Sequence, residues 1–241
     1  MYLSRLILDL RQPAVRRMVS DIYQLHRSVL AAFPAAPAGQ SARAYFGILY
    51  RSETIAQRPM LVRLLVQAQH EPDWSTLAAH HLGPDLDERG NPAVRRIDEE
   101  YARITNGTAL FFRLRANPTR KLPERLPGRE DRLAGKRVAL LREEEQLAWL
   151  GRKGEQHGFR LVATQLEPDI PAVQAARQAN ERGRRPAREG GQTMALTFGT
   201  TIFSGQLEVS DAERFRACLS QGIGSGKAFG FGLLSIASMG L

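Results

Sequence analysis

The segment from Gly222 to Gly232, GIGSGKAFGFG, alternates glycine with small, hydroxyl and cationic side chains. Successive glycines let backbone N–H groups approach an anion closely, and Lys227 with Ser225 adds a charge and a hydroxyl. Two familiar phosphate motifs do not fit. A P-loop needs glycine five residues before its Gly-Lys pair and Ser or Thr after it, where this chain has Gln221 and Ala228; a dinucleotide fingerprint needs a third glycine where Phe229 stands. Both motifs also run from strand to helix, whereas this segment runs from helix to strand. What remains is an anion cradle around Gly222, Gly224 and Gly226, or a glycine-rich turn that only ends a helix.

Tyr23 and His26 lie three residues apart in a helical stretch, so they share a face, with Arg27 beside it. The core-side positions Ile22, Leu25 and Val29 put His26 on the exposed flank. Imidazole serves as acid or base near neutral pH, which suits proton transfer beside a phosphate; the plain alternative is a solvated helix residue. His70, His80 and His81 have no carboxylate at ligand spacing, so no metal site is expected. His157 precedes Gly158 at a helix end, and Glu143, Glu144 and Glu145 open a helix where acidic side chains favour the dipole. In FFRLRANPTRK at 111–121, Arg113 and Arg115 alternate on one strand face and lead into Arg120 and Lys121. Arginine forks on such a face suit phosphate and stacked bases, although the aromatic signature of RNA-recognition motifs is absent.

The elements that must carry these residues repeat. Residues 2–9 read as a strand, 9–20 as a basic loop, and 21–33 as a helix capped by Asp21 and ended by Pro34. Strands follow at 44–52 and 60–69, a short helix at 74–79 capped by Asp73, and a strand at 107–118. After a charged Pro- and Gly-containing connection the order restarts: strand 136–141, helix 143–158, strand 159–167, a strand or hairpin at 194–210, a helix at 211–222 capped by Asp211, and a strand at 229–237. Residues 177–192 lack apolar periodicity and carry arginines from Arg182 to Arg188, so they read as a mobile basic loop. Two βαββαβ units make an α+β chain of tandem ferredoxin-like domains, 1–118 and 136–241, joined by a linker at 119–135.

The chain has 241 residues with 34 Lys+Arg against 25 Asp+Glu, a formal charge of +9, so an acidic partner is the first expectation. Cys218 is the single cysteine, which excludes an intrachain disulfide and a thiolate zinc site and fits a reducing compartment. No apolar run reaches membrane-spanning length, and the first residues build no signal-peptide core, so a cytoplasmic protein without a membrane partner is expected.

MYLSRLIL at the start, DIYQLHRSVLAAFP, FFRLRANPTRK, GKRVALLREEEQLAWL and QGIGSGKAFGFGLLSIA together resemble the CasE family, the CRISPR repeat-processing endoribonuclease of the type I-E Cascade complex. The matching blocks run in family order from residue 1 to about residue 237. The resemblance implies tandem ferredoxin-like domains and a metal-independent, cofactor-free RNase. Such an enzyme cuts precursor CRISPR RNA at the base of the repeat hairpin, leaves 2′,3′-cyclic phosphate and 5′-OH ends, and keeps the hairpin among other Cascade subunits. Carried over by motif, the catalytic histidine falls on His26 with Tyr23 as neighbour, and the glycine loop falls on Gly222 to Gly232 with Ser225 and Lys227 toward the scissile phosphate. His26 as general base and His26 as general acid both remain open. The other class of function is a non-catalytic scaffold that holds an RNA hairpin through its basic surface. Arg27, Arg113, Arg115, Arg120 and Lys121 are the expected RNA contacts.

Overall fold

A computed structural model describes residues 1–122, 135–164, 170–187 and 192–239. The first half contains β1 (Tyr2–Asp9), α1 (Pro13–Ser20), α2 (Ile22–Leu30), α3 (Ala42–Tyr45), β2 (Leu49–Ile55), β3 (Arg58–Ala68), two 3-10 turns at Trp74–Thr76 and Ala79–His81, β4 (Ala93–Arg96) and α4 (Asp98–Ala102). Its antiparallel sheet has the order β2-β3-β1-β4. Apolar residues of β1 and β3 pack with Val15, Met18, Leu25 and Val29 of α1 and α2 to form one core.

The second half contains β5 (Ala109–Ala116), β6 (Thr119–Lys121), β7 (Arg137–Ala139), α5 (Glu143–His157), β8 (Phe159–Leu161), β9 (Val173–Arg185), β10 (Met194–Val209), α6 (Ala212–Gln221), a 3-10 turn at Lys227–Phe229 and β11 (Leu234–Ser238). Its sheet has the order β11-β5-β10-β8, with β9 also paired to β10. A second core gathers Leu114, Leu150, Phe203, Phe215 and Leu219. Taking β5, β8, β10 and β11 as strands one to four, each half has the order 4-1-3-2 expected of a ferredoxin-like unit.

Five expectations change. The strand expected at 107–118 forms, but as β5 it pairs with β10 and β11 and so opens the second unit; the fourth strand of the first unit is the unforeseen β4. The sheets therefore divide between Ala102 and Ala109, not across a linker at 119–135, and β6 and β7 pair with each other as a small ribbon beside the second sheet. Residues 123–134 of that expected linker and 165–167 of the strand expected at 159–167 lie outside the described residues. The basic stretch expected as a mobile loop is β9 as far as Arg185, held to β10 by backbone pairing that needs no apolar pattern; residues 188–191 are outside the described set. The basic loop at 9–20 contains α1, whose Pro13 occupies the first helical turn, where a missing N–H costs nothing. The strand expected at 44–52 starts at Leu49, after the single turn of α3.

The halves meet along a polar seam. Buried Arg51 donates to the carbonyls of Arg113 (2.9 Å) and Leu233 (3.2 Å). Gln67 donates to the Leu219 carbonyl at 2.7 Å and accepts from the Tyr101 hydroxyl at 2.8 Å. These bonds satisfy groups that would be costly to bury unpaired.

Candidate active site

α2 is fixed at its start by Asp21. One carboxylate oxygen accepts from the Tyr23 and Gln24 amides at 2.8 and 3.2 Å, and the other accepts from the Arg184 amide of β9 at 3.2 Å. The second half thus holds the helix of the first. Gly183 makes the close approach possible, since a Cβ there would sit 2.7 Å from Ile22 Cγ1 and 2.8 Å from Asp21 Oδ1.

With Ile22, Leu25 and Val29 buried, the next flank of α2 turns toward the glycine segment. The His26 ring stands edge-on to Phe229, centroids 5.6 Å apart. His26 is therefore half-buried under the Lys227–Phe229 turn and not on an open flank as the helix pattern alone suggests. Its Nδ1 is shielded from solvent and has no hydrogen-bond partner. Burial holds its pKa below the usual histidine value, the positive charge of Arg43 adds to that, and the Ala228 carbonyl pulls weakly the other way. Burial and Arg43 both favour the neutral form of the ring. Tyr23 is half-buried and Arg27 exposed on the same helix.

The glycine segment leaves α6 at Gly222 and is pinned at its base by Ile223 N–H to the Gly232 carbonyl (2.9 Å) and Gly232 N–H to the Arg115 carbonyl (2.8 Å). Gly224 and Gly226 have φ of +80° and +78°, a region side chains avoid, and a Cβ on Gly226 would stand 2.9 Å from Phe231. The Tyr50 hydroxyl donates to the Ala228 carbonyl at 2.9 Å. Burial drives the Tyr50 pKa well up, so the phenol stays protonated and keeps that bond.

Ser225 and Lys227 line a cavity of about 290 Å³ shared with Asn117, Arg137, Lys153 and His157. Ser225 Oγ accepts from the Asn117 side-chain Nδ2 and donates to the Asn117 backbone carbonyl, both at 3.4 Å. Burial lowers the Lys227 pKa, and the charges of Arg43 and Lys153 add to the effect. His26 and Lys227 thus flank one turn, and Arg43 acts on both.

The arginines expected as RNA contacts separate. Arg115 is only 6% exposed; its guanidinium pairs with Glu181 of β9 and lies 5.0 Å from the Phe231 ring centroid. It braces the glycine segment and is not on a solvent-facing surface, because Glu181 and the Phe231 ring take up its guanidinium. Arg113 is half open but pairs with Glu53 at 2.8 Å and Ser204 at 3.1 Å. Arg120 is exposed, 3.8 Å from Glu145, and Lys121 is exposed on the same ribbon.

The contributions of Arg43, Lys153 and His157 escape sequence reasoning. His157 does end α5 before Gly158, whose φ is +76°, yet its ring also faces the cavity. Among the described residues no group of three or more His, Cys, Asp or Glu side chains could hold a metal ion, and no helix is long and apolar enough to cross a membrane.

The family model described as CRISPR associated protein matches residues 1–238. The CRISPR-associated endoribonuclease Cse3 of Thermus thermophilus is 34% identical over 98% of this chain and all of its own. The CRISPR system Cascade subunit CasE of Escherichia coli is 28% identical over 99% of this chain and all of its own. A solved structure of Thermus thermophilus Cse3 bound to an RNA representing a pre-cleavage complex shares 32% identity, covers 98% of each chain and superposes with a TM-score of 0.71. Alike from end to end in sequence and in the paired 4-1-3-2 sheets, the chain belongs to the CasE family of CRISPR associated proteins.

Proposed function

We propose that the chain is a CRISPR-associated endoribonuclease. It cleaves precursor CRISPR RNA at the base of the repeat hairpin and holds the product hairpin as a subunit of a Cascade complex in the cytoplasm. The observation that carries this reading is a neutral, desolvated His26 lodged against a cationic glycine turn, in a chain whose relative Cse3 is an endoribonuclease with an RNA pre-cleavage complex.

RNA supplies its own nucleophile, the 2′-OH beside the scissile phosphate. In-line attack of that oxygen on phosphorus breaks the bond to the 5′-oxygen and leaves a 2′,3′-cyclic phosphate and a 5′-OH. A neutral imidazole has a free lone pair, so His26 acts as general base toward the 2′-OH. Tyr23, one helical turn away, orients the reacting group. Lys227 stabilises the charge that grows on the phosphorane, a contribution worth about 10²–10³ in rate for a single donor. Arg27, Arg120 and Lys121 hold the hairpin through phosphates.

The test is cleavage of the cognate repeat hairpin. Cleavage persists in EDTA, stops with His26→Ala, and stops with a 2′-deoxy nucleotide at the cut. Strict dependence on a divalent metal, or cutting of the 2′-deoxy substrate, overturns the scheme. Tight binding of the hairpin by wild type with no product after long incubation means a scaffold and not an enzyme.

A further inference from the structure

Arg137, Lys153, His157 and Lys227 reach one cavity from β7, α5 and the glycine turn, and none of the four forms an ion pair with a described residue. Such convergence is self-repelling. The pKa of His157 is lowered first by burial and then by Lys153 and Lys227, and that of Lys227 in part by Lys153, as mutual proximity requires. Lys153 and Arg137 are held in place by Gln156 (2.7 Å) and by the Thr119 hydroxyl (3.1 Å), so the arrangement is preformed. Among the described residues the amides of Gly224, Ser225 and Gly226 donate to no protein acceptor. Consecutive free amides beside residues of positive φ form an anion-binding concavity. Asn117, 8% exposed, also lines the cavity, and its Oδ1 is buried with no donor. An acceptor left bare among cations asks for a hydroxyl.

We propose that this cavity is a second RNA subsite, which takes a ribose-phosphate unit of the substrate strand other than the one being cut. The phosphate meets Lys153, His157, Arg137 and the loop amides, while a ribose hydroxyl donates to Asn117 Oδ1. The subsite rests on the endoribonuclease reading for the identity of its ligand. Lys227 borders it and Phe229, in the same turn, touches His26, so filling the cavity loads the turn beside the histidine. Binding energy at a non-reacting nucleotide is thereby available to order the reacting one.

The experiment uses the whole chain and a repeat hairpin made uncleavable by a 2′-deoxy nucleotide at the cut, with single neutral methylphosphonate linkages placed one at a time along the strand. At one linkage other than the scissile one, neutralisation should weaken wild-type binding about tenfold, as loss of a charge-assisted hydrogen bond does. The same linkage should cost Lys153→Gln and His157→Gln little, and the log K against log salt slope of Lys153→Gln should be shallower by about 0.7–0.9. Lys153→Gln keeps the side-chain stem, and a thermal melt matching wild type confirms its fold; Arg137→Gln repeats the test from another element. If every non-scissile linkage affects wild type and variants alike, the subsite does not exist. Binding of inorganic phosphate alone, followed by ³¹P NMR and lost in Lys153→Gln without any linkage-specific coupling, assigns the cavity to free phosphate and also overturns the proposal. Cleavage of the native repeat by wild type is scored separately, so failure of the endoribonuclease reading is visible apart from failure of the subsite.

Discussion

Arg115→Ala should damage the fold more than it damages RNA contact. The guanidinium is almost wholly buried, paired with Glu181 and laid against the Phe231 ring. Truncating one partner of a buried pair costs about 3–5 kcal/mol because the other charge is left uncompensated. Glu181 keeps a side-chain exposure of 27%, so part of its hydration returns and the lower end, about 3 kcal/mol, applies. For a chain of this size each kcal/mol moves the melting temperature by about 2–4 °C, so Arg115→Ala should melt about 6–12 °C below wild type. The double variant Arg115→Ala with Glu181→Ala should recover part of that loss, since no charge is then stranded. Differential scanning calorimetry on these two variants and on Glu181→Ala alone reads the coupling, and RNA binding at several salt concentrations reads the contact. An unchanged melting temperature, together with a salt slope as shallow as that of an exposed arginine variant, would refute the placement of Arg115 as a brace.

Asp21→Ala removes a helix cap and the bond to the Arg184 amide, so it should lower stability by about 1–2 kcal/mol and reduce cleavage, both measurable on one preparation. Gly183→Ala should drive β9 away from α2 at a cost of about 1–3 kcal/mol; a melt equal to wild type would contradict the close approach. For the acid limb of kcat/KM, burial and Arg43 both disfavour protonated His26, so full activity should persist to a pH below the usual histidine value. Arg43→Gln removes one repulsion, raises the His26 pKa and should move the limb upward without reaching the usual value, because burial remains. A limb that stays in place would remove Arg43 from the site. Tyr50→Phe leaves the Ala228 carbonyl without the hydroxyl and should cost about 1 kcal/mol in stability, with the single-turnover cleavage rate falling more than hairpin affinity.

The repeated unit was legible because its helices announce themselves: Asp21 and Asp211 are caps with apolar residues at helical spacing behind them, and both form as read. The boundary was not legible. β4 is four residues long and mostly exposed, so AVRR carries no alternation, while the strong alternation of RLRANP suits either sheet. β9 escaped notice because it is bordered by a partner strand and largely exposed, which leaves its side chains free of any apolar period. His26, Tyr23, Lys227 and Ser225 stand out as candidates by residue type and motif, and the structure sets His26 against the turn that carries Lys227. Arg43, Lys153 and His157 were not, because each reaches the turn from an element distant in sequence. The parity of Arg113 and Arg115 on one strand face was visible, yet parity says nothing about what lies over the face; Glu181 and Phe231 decide that.

β10 and β9 belong by pairing to the second sheet, but Arg184 near the end of β9 supplies an amide to the Asp21 cap of the first. The histidine thus comes from one repeat, while its aromatic neighbour, its turn and part of its helix cap come from the other. Cutting the chain at the connection between Ala102 and Ala109 would yield two fragments each able to complete a sheet and neither able to assemble a site. Loss of cleavage on heating should coincide with separation of the halves, well before either sheet melts, which makes the reaction itself a gauge of how tightly the two copies stay docked.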